Sequence, residues 1–202
     1  MKPIELLLRP MVKKYQRGRD IAYGEHPRQK LDIYSPNKNA KNLPVIVFFY
    51  GGSWIRGSRQ GYSPVGASLA RLGYLVVVPD YRLYPEVTFP EFVKDGAQAV
   101  AWVKNHVSEY GGNSQNINVI GHSAGGMIGA LLSVDSTYLR LAGLDPAIIK
   151  KFVGLAGSYN SPLTSKLFIK IFPLRSEKPP FRAVNVIDFT SVELLLIHGQ
   201  RD

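Results

Sequence analysis

The 202-residue sequence contains no cysteine, which excludes disulfides, zinc–thiolate centres and a thiol nucleophile. That absence is compatible with any compartment. Long apolar runs are also missing. The longest, Val45 to Phe49 and Leu75 to Val78, are strand-sized and far too short to span a bilayer as a helix. At the N-terminus, Ile4 and Leu6-Leu7-Leu8 are too few for a signal-peptide core, and no small-residue cleavage site follows them. A cytoplasmic location is therefore the expectation. Acidic residues are scarce: 15 Asp and Glu against 25 Lys and Arg, a net charge of +10. Residues 1–42 alone hold ten basic and four acidic residues, or +6 of that total. Such a balance permits weak association with nucleic acid or anionic lipid. No nucleic-acid-binding module accompanies it, so solvated basic surface is the expected meaning. Repeats and low-complexity tracts are lacking as well.

What is present is enough for one domain with a sizeable core, since 45% of residues are hydrophobic. Ile4, Leu7, Leu8, Met11, Val12 and Tyr15 share one helical face, expected to dock on the body of the domain or, alternatively, to touch a membrane surface. Strands are expected over Asp20–Tyr23, Lys30–Tyr34, Pro44–Tyr50, Tyr74–Val78, Ile117–Ile120, Phe152–Ala156 and Leu194–Ile197. Helices are expected over about Ser63–Leu72, from Pro90 to about Glu109, and from Met127 to Leu132. Tyr110 to Asn116 reads as a turn. Residues 158–190 lack periodicity and include Pro162, Pro173, Pro179 and Pro180, so they read as an irregular, cap-like insertion within a single domain spanning 1–202. Nearly all-apolar strands alternating with helices indicate an α/β fold with a doubly wound parallel sheet. Ligands in such sheets bind at the carboxyl ends of the strands.

Three segments fall at those ends. The first is Gly121-His122-Ser123-Ala124-Gly125-Gly126, between a buried strand and an apolar helix, the context of a nucleophile elbow. A serine on so sharp a turn needs strained dihedrals, and glycines on either side remove the Cβ atoms that would clash with it. The turn also points the N–H of Ala124, at a helix start, toward the place where an oxyanion would form. The bare pattern reads equally as an ordinary glycine-rich turn; its neighbours favour catalysis. The second segment is Tyr50-Gly51-Gly52-Ser53-Trp54, and the third is Leu195-Leu196-Ile197-His198-Gly199, ending in Asp202.

With Pro79-Asp80-Tyr81-Arg82-Leu83, these segments resemble the α/β-hydrolase fold, in particular its carboxylesterase branch related to hormone-sensitive lipase and kynurenine formamidase. The resemblance covers about residues 20–202. It implies Ser123 as nucleophile and Asp202 as the acid that orients a histidine base. By position it also implies an oxyanion hole made by Gly52 and Ser53, with Gly51 a further candidate, acting with Ala124. Tyr50 stands where the family usually has a histidine, a side chain that is generally structural. Asp80 and Asp95 read as structural, with Arg82 a partner for either. The loop after the Phe152 strand, where some hydrolases place their acid, has Asn160.

The expected base is missing. In the order Ser, Asp, His the histidine follows the acid, and the sequence stops at Asp202. His26 precedes the first long strand, His106 lies in a predicted helix, His122 points away from the nucleophile and His198 ends a strand. The sequence is therefore expected to be a fragment or truncated copy that lacks its last strand and helix and has little activity. The chemistry implied by the resemblance is hydrolysis of small carboxylic esters through an acyl-enzyme (class EC 3.1.1), with no metal or organic cofactor and a small-molecule ester as partner. Two alternatives remain at this point: a non-catalytic binding protein on the same fold, and an arylformamidase-type amide hydrolase.

Overall fold

The computed structural model describes residues 12–160, 165–173, 180–188 and 192–199. Seven strands form one sheet: β1 (Gln16–Ala22), β2 (Lys30–Tyr34), β3 (Leu43–Phe49), β4 (Leu75–Pro79), β5 (Gly112–His122), β6 (Ile149–Leu155) and β7 (Glu193–Ile197). Their order is β1-β2-β4-β3-β5-β6-β7. β2 runs antiparallel to both β1 and β4. The β4-β3-β5-β6-β7 pairings are all parallel. The expectation of a mostly parallel sheet therefore holds.

Val45 to Phe49 are buried without interruption. Alternate residues of a strand face opposite sides, so the sheet must be covered on both faces here. Five helices do most of the covering: α1 (Ser63–Arg71), α2 (Glu91–His106), α3 (Ala124–Val134), α4 (Ser136–Leu141) and α5 (Lys166–Ile171). All eleven residues of α3 are buried, which explains a sequence too uniformly apolar to show a polar face. α2 buries Phe92, Val93, Gly96, Ala97, Val100 and Val103. Lys104 reaches Ser114 O at 3.4 Å.

β1, β6 and α3 start three to four residues before their expected positions, at Gln16, Ile149 and Ala124, and three further differences have a local cause. Gly112 to Asn116 belong to β5 rather than to a turn, because Gly112 pairs with Leu43 below the main register. The polar residues there are the part of the strand that projects past the covered sheet. Helix α2 ends at His106 and passes into a 3₁₀ turn over Val107–Tyr110, closed by left-handed Gly111. α4, absent from the sequence reading, starts where Asp135 accepts a hydrogen bond from Thr137 N at 3.0 Å. Of the predicted N-terminal stripe, Ile4 to Met11 lie outside the described residues, and 12–15 form a helical turn with Tyr15 buried.

Candidate functional site

Ser123 sits between the end of β5 and the start of α3 with φ 53° and ψ −118°, a conformation that L-residues rarely adopt. Three hydrogen bonds hold the turn: Ser123 N to Leu155 O at 2.9 Å, Gly126 N to Ser123 O at 2.9 Å and Met127 N to Ser123 O at 3.3 Å. The flanking glycines are needed on steric grounds. A Cβ on Gly121 would stand 2.3 Å from Gly125 O, and one on Gly125 would stand 2.2 Å from Phe49 O. Both obstacles are backbone atoms that cannot rotate away.

The loop after β3 comes to this turn. A Cβ on Gly51 would lie 2.9 Å from the Ser123 Cβ and 3.1 Å from His122 O, so the Gly51 backbone runs directly against the elbow. The chain then winds tightly: Gly52 O accepts from Ile55 N and Arg56 N, each at 3.1 Å. Gly52 has φ 147°, Ser53 φ 54° and Trp54 φ 59°. Three consecutive positive φ values in a buried or half-buried loop indicate a backbone shaped by its surroundings rather than by local preference. Among the described residues no backbone carbonyl accepts from the N–H of Gly52, Ser53 or Ala124. For Ala124 this follows from its place in the first turn of α3. The structure thus brings Gly51, Gly52, Ser53 and Ala124 to the same end of the sheet as Ser123; Asp202 lies outside the described residues.

The loop is anchored on both flanks. Trp54 is buried, with its ring edge-on to Phe168 at 5.9 Å and to Phe172 at 4.8 Å, which joins it to the α5 segment. On the other flank lies a buried polar cluster. The Tyr50 hydroxyl donates to Asp80 Oδ1 at 2.6 Å, and Arg59 N donates to the same oxygen at 2.7 Å. The Arg59 guanidinium binds Asp80, Asp32 and Asp20. Burial, opposed by Arg59, pushes the Asp32 carboxyl above the usual range. Burial lowers and these carboxylates raise the Arg59 guanidinium, and the net shift is upward. Burial and then Asp80 push the Tyr50 hydroxyl far above its usual value, so it remains a donor.

The structural reading of Asp80 and Asp95 holds, with one correction. Arg82 serves Asp95, through bonds of 2.7–3.0 Å, together with Glu91, whereas Asp80 binds Arg59, with Arg28 3.9 Å away. Sequence reasoning overlooked Arg59 and Arg28, since a lone arginine in a polar loop gives no periodic or motif signal. Asn160 is exposed after β6. The four histidines engage elsewhere. His26 binds Glu86 at 2.6 Å, and His106 Nδ1 meets Trp102 O at 2.9 Å. His122 Nδ1 lies 3.4 Å from the Tyr62 hydroxyl, and the exposed His198 packs on the Tyr159 ring.

A five-strand parallel run, continued at its β4 edge by antiparallel β2 and then β1, with a strained serine between β5 and α3, defines an α/β-hydrolase. The BD-FAE family profile matches residues 31–151, more than half of the chain, so the chain belongs to that family. It is 37% identical over 149 residues to the isoprenylcysteine alpha-carbonyl methylesterase of Arabidopsis thaliana, an overlap of 72% of this chain and 35% of that protein. It is 34% identical over 155 residues to esterase LipC of Mycobacterium tuberculosis, covering 73% of this chain and 38% of that protein. Among solved structures it resembles the Pyrobaculum calidifontis esterase, with 27% identity, a TM-score of 0.73 and coverage of 98% of this chain and 71% of the other. Thermogutta terrifontis esterase 2 is similar at 25% identity and a TM-score of 0.71, covering 89% and 70%. The chain thus spans only about a third of the length of these curated relatives. Among the described residues no cluster of three or more His, Cys, Asp or Glu side chains could hold a metal ion. None of the described helices is long and apolar enough to cross a membrane.

Proposed function

We propose that this chain carries the nucleophile and oxyanion hole of a serine carboxylic-ester hydrolase acting through an acyl-enzyme. The observation that carries the reading is the close approach of the Gly51 backbone to Ser123, at an end of the sheet where, among the described residues, no backbone carbonyl accepts from the N–H of Gly52, Ser53 or Ala124. Ser123 Oγ gives its proton to a base and bonds to the acyl carbon, and the carbonyl π pair moves onto oxygen. The N–H groups of Gly52, Ser53 and Ala124 receive that oxyanion, with Gly51 bringing the loop within reach. Collapse breaks the bond to the alcohol, which leaves with the base's proton. Water repeats the sequence and releases the acid. Asp202 is assigned to orient the base. All four histidines have other contacts, so none of them is assigned as the base. Residues 158–190 are assigned as a cap over the acyl pocket, within a single domain. The relatives point to small-molecule esters as substrates, and the scheme requires no cofactor.

The test uses p-nitrophenyl acetate with added imidazole standing in for the base. Turnover above the imidazole blank is expected for the wild type and not for Ser123→Ala. A missing triad base costs about 10³-fold or more, roughly 4 kcal/mol of barrier, so turnover without imidazole should be slow or undetectable. Equal turnover by Ser123→Ala would remove Ser123 from the reaction.

A further inference from the structure

The loop that begins at Tyr50 and ends at Arg59 is closed on itself through one carboxylate oxygen. Asp80 Oδ1 accepts from the Tyr50 hydroxyl at 2.6 Å and from the Arg59 backbone N–H at 2.7 Å. Its other oxygen takes the Arg59 guanidinium. Arg28 adds a second tie: one Nη2 donates to the Tyr50 hydroxyl and to Gly57 O, each at 3.0 Å, while its Nε holds Tyr81 O at 2.9 Å. Tyr81 returns the contact by donating to Tyr50 O at 2.8 Å. Further along, Tyr84 N donates to Trp54 O at 2.9 Å. Tyr50 itself is clasped between the rings of Tyr81 and Tyr62, at 4.9 and 5.3 Å.

We infer that Asp80, with Tyr50 and Arg28, is a positioning group for the reaction. It staples the two ends of loop 50–59 together and thereby fixes where the N–H groups of Gly52 and Ser53 stand relative to Ser123. This rests on the reading of Ser123 and the loop given above. The physical reason for such a device lies in the loop: three successive residues hold positive φ, and such a backbone persists only when its surroundings over-determine it. An oxyanion hole acts by being organised before charge develops, and a misplacement of about 1 Å is enough to cost roughly 10²-fold in rate. Tyr50 stands where the resemblance places a histidine, and its hydroxyl, raised by burial and by Asp80, does not titrate in the neutral range.

The experiment compares wild type, Tyr50→Phe and Asp80→Asn with Asp95→Asn. Asp95 is likewise a buried carboxylate in an ion pair, with Arg82, and makes no hydrogen bond to residues 50–59, so it controls for lost stability. Two readouts are taken on the 202-residue chain: amide hydrogen exchange across residues 50–59, and saturation kinetics of phosphonylation by a p-nitrophenyl phosphonate with added imidazole standing in for the base. Tyr50→Phe and Asp80→Asn should speed exchange in the loop and lower the maximal phosphonylation rate about 10- to 100-fold, with the half-saturating concentration little changed. Asp95→Asn should lower the melting temperature while leaving both readouts at wild-type values. Tyr50→Phe is the gentler change and decides the matter if Asp80→Asn does not fold. Wild-type exchange in Tyr50→Phe, or faster exchange with an unaltered phosphonylation rate, overturns the inference. No phosphonylation even of the wild type would contradict the Ser123 reading instead, and loop exchange alone would then decide whether the staple exists.

Discussion

Gly51 and Ser123 approach so closely that a Cβ on the glycine would lie 2.9 Å from the Cβ of the serine. A spacing under 3 Å forces something to move, and here the neighbours are the elbow itself and His122. Gly51→Ala should therefore displace the loop from Ser123 by a few tenths of an ångström. The expected result is a phosphonylation rate lowered about 10-fold or more, with a melting temperature close to wild type. An unchanged rate would place the reacting carbonyl away from Gly51.

Gly125→Ala should behave differently, because its added Cβ would meet the backbone oxygens of Phe49 and Tyr50 at 2.2 and 2.5 Å. Neither can rotate aside, so the overlap must be relieved by separating α3 from β3. A loss of about 3 kcal/mol or more in urea unfolding is expected, the upper range for overpacking. A cost under about 0.5 kcal/mol would show that the elbow is less tightly packed than described.

How much of this could be read in the sequence differs between parts of the molecule. β2 matched its expected bounds, and β3, β4, α1 and α2 fell within a few residues, because buried strands and capped helices carry their signal locally. The elbow was legible because its steric demand falls on neighbours in sequence. The Arg59–Asp80–Tyr50 cluster was not, since its members lie 21 and 30 residues apart along the chain and only the fold brings them together. Arg82 seemed able to serve either aspartate, and only the turn of the backbone at Asp80 directs it to Asp95. α4 was missed because a six-residue helix shows barely two turns of periodicity.

The edge of the sheet makes a separate prediction. Leu194, Leu195, Leu196 and Ile197 of β7 are 46–55% exposed, on both faces of the strand. Among the described residues β7 pairs with β6 alone. An apolar, uncovered edge strand is a template for further pairing. The purified 202-residue chain should self-associate as concentration rises, and Leu195→Lys should reduce this in sedimentation velocity. A monomer at all concentrations that melts cooperatively would contradict the prediction.

Stability should depend on pH through Glu91. Its carboxyl is held below the ordinary value of 4.5, chiefly by the hydrogen bond from Lys94, with burial opposing and Arg82 assisting. A depressed folded-state pKa means that the unfolded chain binds more protons in this window. The contribution is therefore complete above about pH 4.5 and is lost as pH falls through the folded value. Glu91→Gln should be less stable than wild type at neutral pH, and the gap should narrow as pH falls below about 4.5. A gap that is constant with pH would show that the ion pair contributes nothing.

The central claim is that Ser123 is the nucleophile facing the Gly51–Ser53 loop. Its most direct test is to treat the chain with a p-nitrophenyl phosphonate in the presence of imidazole, digest it, and locate the adduct by peptide mass spectrometry. The account predicts one adduct, on Ser123, that is absent from Ser123→Ala treated alongside. An adduct on another residue, or equal labelling of Ser123→Ala, would contradict it.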